Sequence, residues 1–245
     1  VTLWARRPET LASFTAPGVA MAPTPEALAK KVDYIGICVV DDAGVREICD
    51  RLIPAMRPGS CIAIHSTVAP SLCQALAEEA AARGIDLIDA PVSGGGPGAA
   101  AGTLTVMVGG KKETFERARA VFETFASLIV HLGEVGAGQQ AKLINNAMMA
   151  ANLSIAWSGL QSANVFGLDR EAFVELINAS SGRSFSFGVA ARMPNPKSFE
   201  HGARLLEKDV TLLGAALECA EPDSAACYEP IRNTASVLLS QALAE

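Results

Sequence analysis

The chain has 245 residues, half of them hydrophobic, and a formal net charge of −6. That length suits one large domain or two small ones and can bury a full core. The acidic balance argues against nucleic acid as a partner, because neutralising phosphates takes a basic surface. No apolar run reaches the roughly 18 residues of a membrane span. Charged Arg6 and Arg7 follow the apolar opening Val1–Trp4 at once, so no signal peptide is expected. The six cysteines show neither CxxC spacing nor a small secreted framework, which points to the reduced thiols of a cytosolic or matrix protein, with the cytoplasm the expected location.

In chain order, Val1–Trp4, Tyr34–Val40, Cys61–Ile64, Asp86–Ile88, Thr105–Val108 and Leu128–Leu132 read as strands. Helical patterns lie between them at Pro25–Lys31, Gly44–Leu52, Ser71–Arg83 and Lys112–Phe125, with Pro70 and Gly84 bracketing the third. Such alternation implies a Rossmann-like, mainly parallel sheet covered on both faces. From about Gln139 no clear strand is visible, and Gln139–Phe166, Arg170–Ala179 and Arg204–Glu218 read as helices. The fold class is therefore α/β: a sheet domain over residues 1–135, followed by an all-helical domain over residues 136–245. A dinucleotide-binding sheet normally opens with a strand, a glycine-rich turn and a helix. This sequence opens instead on what reads as the second strand, so the first unit is expected to be missing. That strand ends in Ala5-Arg6-Arg7, where the adenosine ribose would be read. Arginine there would receive a 2′-phosphate and put NADP ahead of NAD, whereas the alternative is a solvated basic turn.

Two stretches fit G-x-G-x-x-A: Gly94–Ala99 and Gly136–Ala141. The first has Pro97 inside it and no helix expected directly after it. The second follows a strand and opens a helix, but no further strand and ribose-binding acid follow, so a βαβ unit cannot close. Neither is expected to hold a pyrophosphate.

Four motifs, in order, carry a resemblance. Asp89-Ala90-Pro91-Val92-Ser93-Gly94-Gly95, continuing to Gly102-Thr103-Leu104 and Met107-Val108-Gly109-Gly110, resembles the substrate-binding signature of the β-hydroxyacid dehydrogenases. Gly136–Asn146 is similar to that family's catalytic signature, Ser66-Thr67-Val68-Ala69-Pro70 to its cofactor-contacting turn, and Lys208-Asp209 to its late cofactor-side pair. The resemblance covers essentially the whole chain and departs from the family at both ends. It implies hydride transfer between NADP or NAD and a short 3-hydroxy carboxylate, or its semialdehyde or oxo acid. The helical half is apolar and short, so it is expected to complete its core against a second copy, as a homodimer or homotetramer, with no nucleic acid or membrane partner expected.

The chemistry of these residues fits that implication. Oxidising an alcohol requires that its proton leave and that the substrate be held in one geometry. Lys142 can take the proton if burial and a nearby cation bring its pKa down from about 10.4. A cation near a helix N-terminus is otherwise unfavourable, which weighs against a plain surface lysine. Asn146, four residues on, projects from the same helix face and can donate to the substrate or orient the lysine, or else is simply solvated, whereas Asn145 points about 100° away. Ser93, Gly94 and Gly95 lie at the carboxyl end of a strand, where backbone N–H groups and a hydroxyl can hold a carboxylate; the alternative is a tight turn. Thr67 is expected on the cofactor, or else as the N-cap of Ser71–Arg83. Val39 and Val40 are expected along the cofactor or in the core. Lys208 is expected to reach the cofactor, with Asp209 tying down a helix, or else to form an exposed charge pair. Arg183 is a candidate for selecting the acid, or else a loop arginine. The three histidines are scattered and no metal is expected. The rival to an enzyme is a truncated, non-catalytic binding or dimer-forming homologue; an imine-reducing relative ranks last, because such proteins usually replace the lysine.

Overall fold

The computed structural model describes residues 1–221 and 225–244. The chain divides into two compact units, Val1–Lys142 and Leu143–Glu245.

The first unit is α/β. In order it contains β1 (Thr2–Leu3), β2 (Ala20–Met21), α1 (Pro25–Ala29), β3 (Tyr34–Ile37), α2 (Asp42–Leu52), β4 (Cys61–Ile64), α3 (Pro70–Ala81), β5 (Asp86–Asp89), β6 (Val92–Ser93), α4 (Gly95–Ala101), β7 (Leu104–Gly109), α5 (Lys112–Phe122) and β8 (Ala126–Gly133). The main sheet has the order β3-β4-β5-β7-β6, with β8 on the other side of β7. β3, β4 and β5 run parallel, as do β7 and β8. The short strands β1 and β2 pair with each other in a separate parallel ribbon. β4 is buried along its whole length, as expected of a central strand with both faces covered. Ile35, Ile37, Ile62, Ile64 and Leu87 pack with Val45, Ile48 and Leu52 of α2 and Leu76 of α3 in one core cluster. Ala63, Ile88, Val106 and Val108 pack with Phe115 and Phe122 of α5 in another.

Three local features differ from the sequence expectation. β7 runs antiparallel to β5 and to β6. A parallel return needs a crossover of about a dozen residues or more, and the short stretch between β6 and β7 makes an antiparallel pair instead. Ser93 does not follow β5 directly but ends a strand of its own, paired with Thr105. Finally, a helix does occupy the glycine stretch, since α4 begins at Gly95. Pro97 stands in its first turn, where no N–H is needed, and Gly94 enters it at φ 127, a backbone that side-chain-bearing residues avoid.

The second unit is helical among its described residues. α6 (Ala137–Val165) begins in the first unit and continues through Leu143; α7 (Arg170–Ala179), α8 (Phe185–Ala190), α9 (Glu200–Ala220) and α10 (Ala225–Leu243) follow. Within this unit α6 is the spine. Leu143, Ala147 and Ala150 pack on Leu206, Val210 and Leu213 of α9 and Leu239 of α10. Further along, Leu153, Trp157 and Leu160 pack on Phe187 and Ala190 of α8 and Leu238 of α10. Both sets recur at helical spacing on one face. Ser154 cross-links the bundle: its hydroxyl donates to Ala235 O and accepts from Leu238 N.

Candidate active site

The start of α6 is fixed by a carboxylate from the end of β5. Asp89 is fully buried. Its Oδ1 accepts from Gly136 N and its Oδ2 from Gln139 N, both at 2.7 Å. This is a helix cap supplied from elsewhere in the chain. It satisfies N–H groups that have no intrahelical partner, and it places negative charge at the positive end of the helix dipole. The second G-x-G-x-x-A stretch therefore already holds an anion, which is an internal carboxylate. Gly138 permits the approach, since a Cβ there would lie 2.4 Å from Met107 O and 2.9 Å from Asp89 Oδ2. Burial raises the Asp89 carboxyl above its ordinary range, opposed by the backbone N–H groups that bond it.

Gln139, also fully buried, reaches the loop after β4. Its Nε2 donates to Ser66 O at 2.8 Å and its Oε1 accepts from Val68 N at 3.2 Å. Thr67 stands between these two anchored residues. It does not cap α3: the N-cap there is Ala69, whose N–H donates to Asp42 Oδ2 at 3.0 Å. The Ser66 hydroxyl in turn accepts from Val39 N at 2.7 Å, joining the loops after β3 and β4. The carboxyl ends of β3, β4 and β5 and the first turns of α6 are thus one hydrogen-bonded assembly. Lys142 lies in the second turn of that helix and is buried, with 8 % of its surface exposed.

In the second unit, Asn146 Nδ2 donates to Asp209 Oδ2 at 2.6 Å, and its Oδ1 accepts from Asn145 Nδ2 at 3.1 Å. Lys208 Nζ lies 3.0 Å from Asp209 Oδ1, and Asp209 is buried. Lys208-Asp209 is therefore not an exposed pair. Arg183 is exposed in the turn between α7 and α8.

At the carboxyl ends of β1 and β3 lies a hollow of about 560 Å³, lined by Trp4 to Arg7 on one side and Ile35 to Asp41 on the other. Its size falls in the roughly 300–1,000 Å³ range of small-molecule sites, and ligands of open α/β sheets bind at such strand ends. Val39 and Val40 both line it; Val39 also packs on the core, whereas Val40 is 73 % exposed. Arg6 lines it too, with Nη2 at 2.8 Å from Glu47 Oε2. An apolar hollow with guanidinium groups at its edge fits the adenosine end of a nicotinamide dinucleotide.

Known proteins resemble this chain over both of its units. The family model for the NAD binding domain of 6-phosphogluconate dehydrogenase matches residues 1–133. The model for the NAD-binding of NADP-dependent 3-hydroxyisobutyrate dehydrogenase matches residues 136–242. The chain is 35% identical over 238 residues to an uncharacterized oxidoreductase of Mycobacterium tuberculosis, covering 91% of this chain and 80% of that protein. It is 36% identical over 209 residues to the NAD-dependent L-serine dehydrogenase of Pseudomonas aeruginosa, covering 80% of this chain and 68% of that one. Among solved structures, 3-hydroxyisobutyrate dehydrogenase of M. tuberculosis with L-serine superposes with a TM-score of 0.74 at 28% identity, over 91% of this chain and 84% of that one. The chain belongs to the β-hydroxyacid dehydrogenase family. It is a nicotinamide-dependent oxidoreductase of the hydroxyacid class. No described helix is long and apolar enough to cross a membrane.

Two contributors were missed at the sequence level: Asp89 as the cap of α6, and Gln139 as the clasp on the Thr67 loop. The signal for the first was an acid closing the apolar run Leu87-Ile88, because a buried carboxylate demands donors. Nothing local signalled the second.

Proposed function

We propose that the protein interconverts a short 3-hydroxy carboxylate and its semialdehyde or oxo acid, with Lys142 as the acid–base. The observation that carries this is a buried lysine on a helix start clamped to the carboxyl ends of the sheet strands. Burying an ammonium is costly, and a buried titratable group at strand ends is a feature that active sites use. A bound nicotinamide supplies the hydride acceptor or donor. Lys142 takes the hydroxyl proton in oxidation and returns it in reduction. Ser93 and the N–H groups of Gly94 and Gly95 hold the substrate carboxylate, and Asn146 donates its remaining amide proton to the substrate. Thr67, Val39, Val40 and Lys208 contact the cofactor. The direct test is whether hydride leaves the hydroxyl-bearing carbon of such an acid for the cofactor.

Arg6 makes NADP the preferred cofactor in this reading. The relatives' names point both ways, since one matched family model is named for an NADP-dependent enzyme and one relative for an NAD-dependent enzyme. Arg6→Ala should lower the preference for NADP over NAD. A charge-assisted hydrogen bond is worth about 1.5–3 kcal/mol. The Arg6 side chain is 60% exposed and already paired, so the low end applies and the loss should be about tenfold. Equal use of both cofactors by the unmutated protein would remove this assignment.

The helical unit leaves Ile144, Met148 and Ile155 of α6 exposed, together with Phe166 and Leu168 just beyond it. Their spacing along α6 sets three of them on one face. This supports a homodimer or homotetramer, which sedimentation equilibrium would read as twice or four times the chain mass. A stable monomer at micromolar concentration would contradict it.

A further inference from the structure

We propose that Glu47 sets how strongly the hollow discriminates a 2′-phosphorylated adenosine from a plain one, acting through Arg6 as a positioning and attenuating residue. The inference rests on the cofactor reading above. Arg6 Nη2 lies 3.6 Å from where a Cβ on Gly44 would stand, so the guanidinium lies over the first turn of α2, at the edge of the hollow. Glu47, three residues further along the same helix, holds it there through the 2.8 Å ion pair.

Charges of both signs meet at the hollow's edge. Arg6 and Arg7 both line the hollow, and so does Asp41. Asp41 is committed to capping α2 through Gly44 N at 2.8 Å. Glu47 places a negative charge beside Arg6. The two side chains of this pair are 60% and 57% exposed, so the contact is weak enough to exchange for a phosphate. An incoming 2′-phosphate must compete with Glu47 for Arg6 and is repelled by it. A ribose with a free 2′-hydroxyl meets neither cost.

The test is calorimetric binding of adenosine 2′,5′-bisphosphate and adenosine 5′-monophosphate to the whole chain, to Glu47→Gln, to Arg6→Ala and to the double variant. These two nucleotides differ only in the 2′-phosphate. Glu47→Gln should raise the bisphosphate-to-monophosphate affinity ratio by about two- to fivefold. With Arg6 already replaced by alanine, the same change should raise it much less, and such non-additivity is the mark of coupling. A general structural effect would weaken both nucleotides alike and leave the ratio unmoved. An unchanged ratio in Glu47→Gln, or an equal rise without Arg6, overturns the inference while leaving the cofactor reading intact. Binding of neither nucleotide by any of the proteins overturns the cofactor reading and this inference with it.

Discussion

Lys142→Ala should cut kcat by about 10²–10⁴-fold, the usual worth of general acid–base catalysis. Cofactor affinity should survive, because the lysine is assigned to the alcohol oxygen and not to the phosphates. Lys142→Arg should not rescue turnover, since a guanidinium stays protonated at every working pH and cannot accept the proton. In the oxidation direction kcat/KM should rise with pH, because only the neutral amine takes up the hydroxyl proton; in Lys142→Ala that rise should disappear. Near-normal turnover in Lys142→Ala would remove the mechanism while leaving the fold untouched. Because the side chain is buried, thermal melting of the variant separates lost chemistry from lost folding.

The second large effect concerns stability. Asp89→Ala strips the cap from α6 and leaves the N–H groups of Gly136 and Gln139 without their acceptor. Orphaned buried donors cost about 1–3 kcal/mol each. With the carboxylate's own burial penalty relieved, the net loss should be about 2–4 kcal/mol, a fall in Tm on the order of 10 °C for a protein of this size. Asp89→Asn should cost less, since one carbonyl oxygen remains, but its amide N–H would face a backbone donor. The sign of the pH dependence follows from the raised Asp89 carboxyl. The folded chain binds that proton more tightly than the unfolded chain, so this group's contribution to stability falls as pH rises from the ordinary aspartate range through the folded value. Asp89→Asn should abolish that slope. An Asp89→Ala protein melting with the parent would show that α6 does not depend on this cap.

Much of the architecture was legible because it rests on local pattern. Tyr34–Ile37 and Cys61–Ile64 are short apolar runs between amphipathic stretches, and buried parallel strands need nothing more. Arg170–Ala179 is bounded by Asp169, whose side chain accepts from Ala172 N, and such caps are readable from sequence. α4 was hidden because its glycines and Pro97 disfavour a helix by propensity, while positive-φ glycines at both of its ends and the β6–β7 pair impose one. The reversal of β7 was hidden because an apolar strand carries no mark of its direction. At the candidate site, the proposed residues stand out in the sequence only through their resemblance to the family's signatures. Their supports do not: Asp89 meets Gly136 and Gln139 from 47 and 50 residues away, and Arg6 meets Glu47 from 41. Such pairings exist only once the sheet has brought strand ends and helix starts together.

The central claim is that this chain moves hydride between the hydroxyl-bearing carbon of a short 3-hydroxy carboxylate and a nicotinamide. The most direct measurement offers the protein 3-hydroxyisobutyrate or a comparable acid deuterated at that carbon, with NADP and with NAD, and follows the label by mass spectrometry. The account predicts deuterium in the reduced cofactor from the parent protein and at most a small fraction of that rate from Lys142→Ala. A protein that binds the cofactor yet transfers no label from any such acid would contradict it.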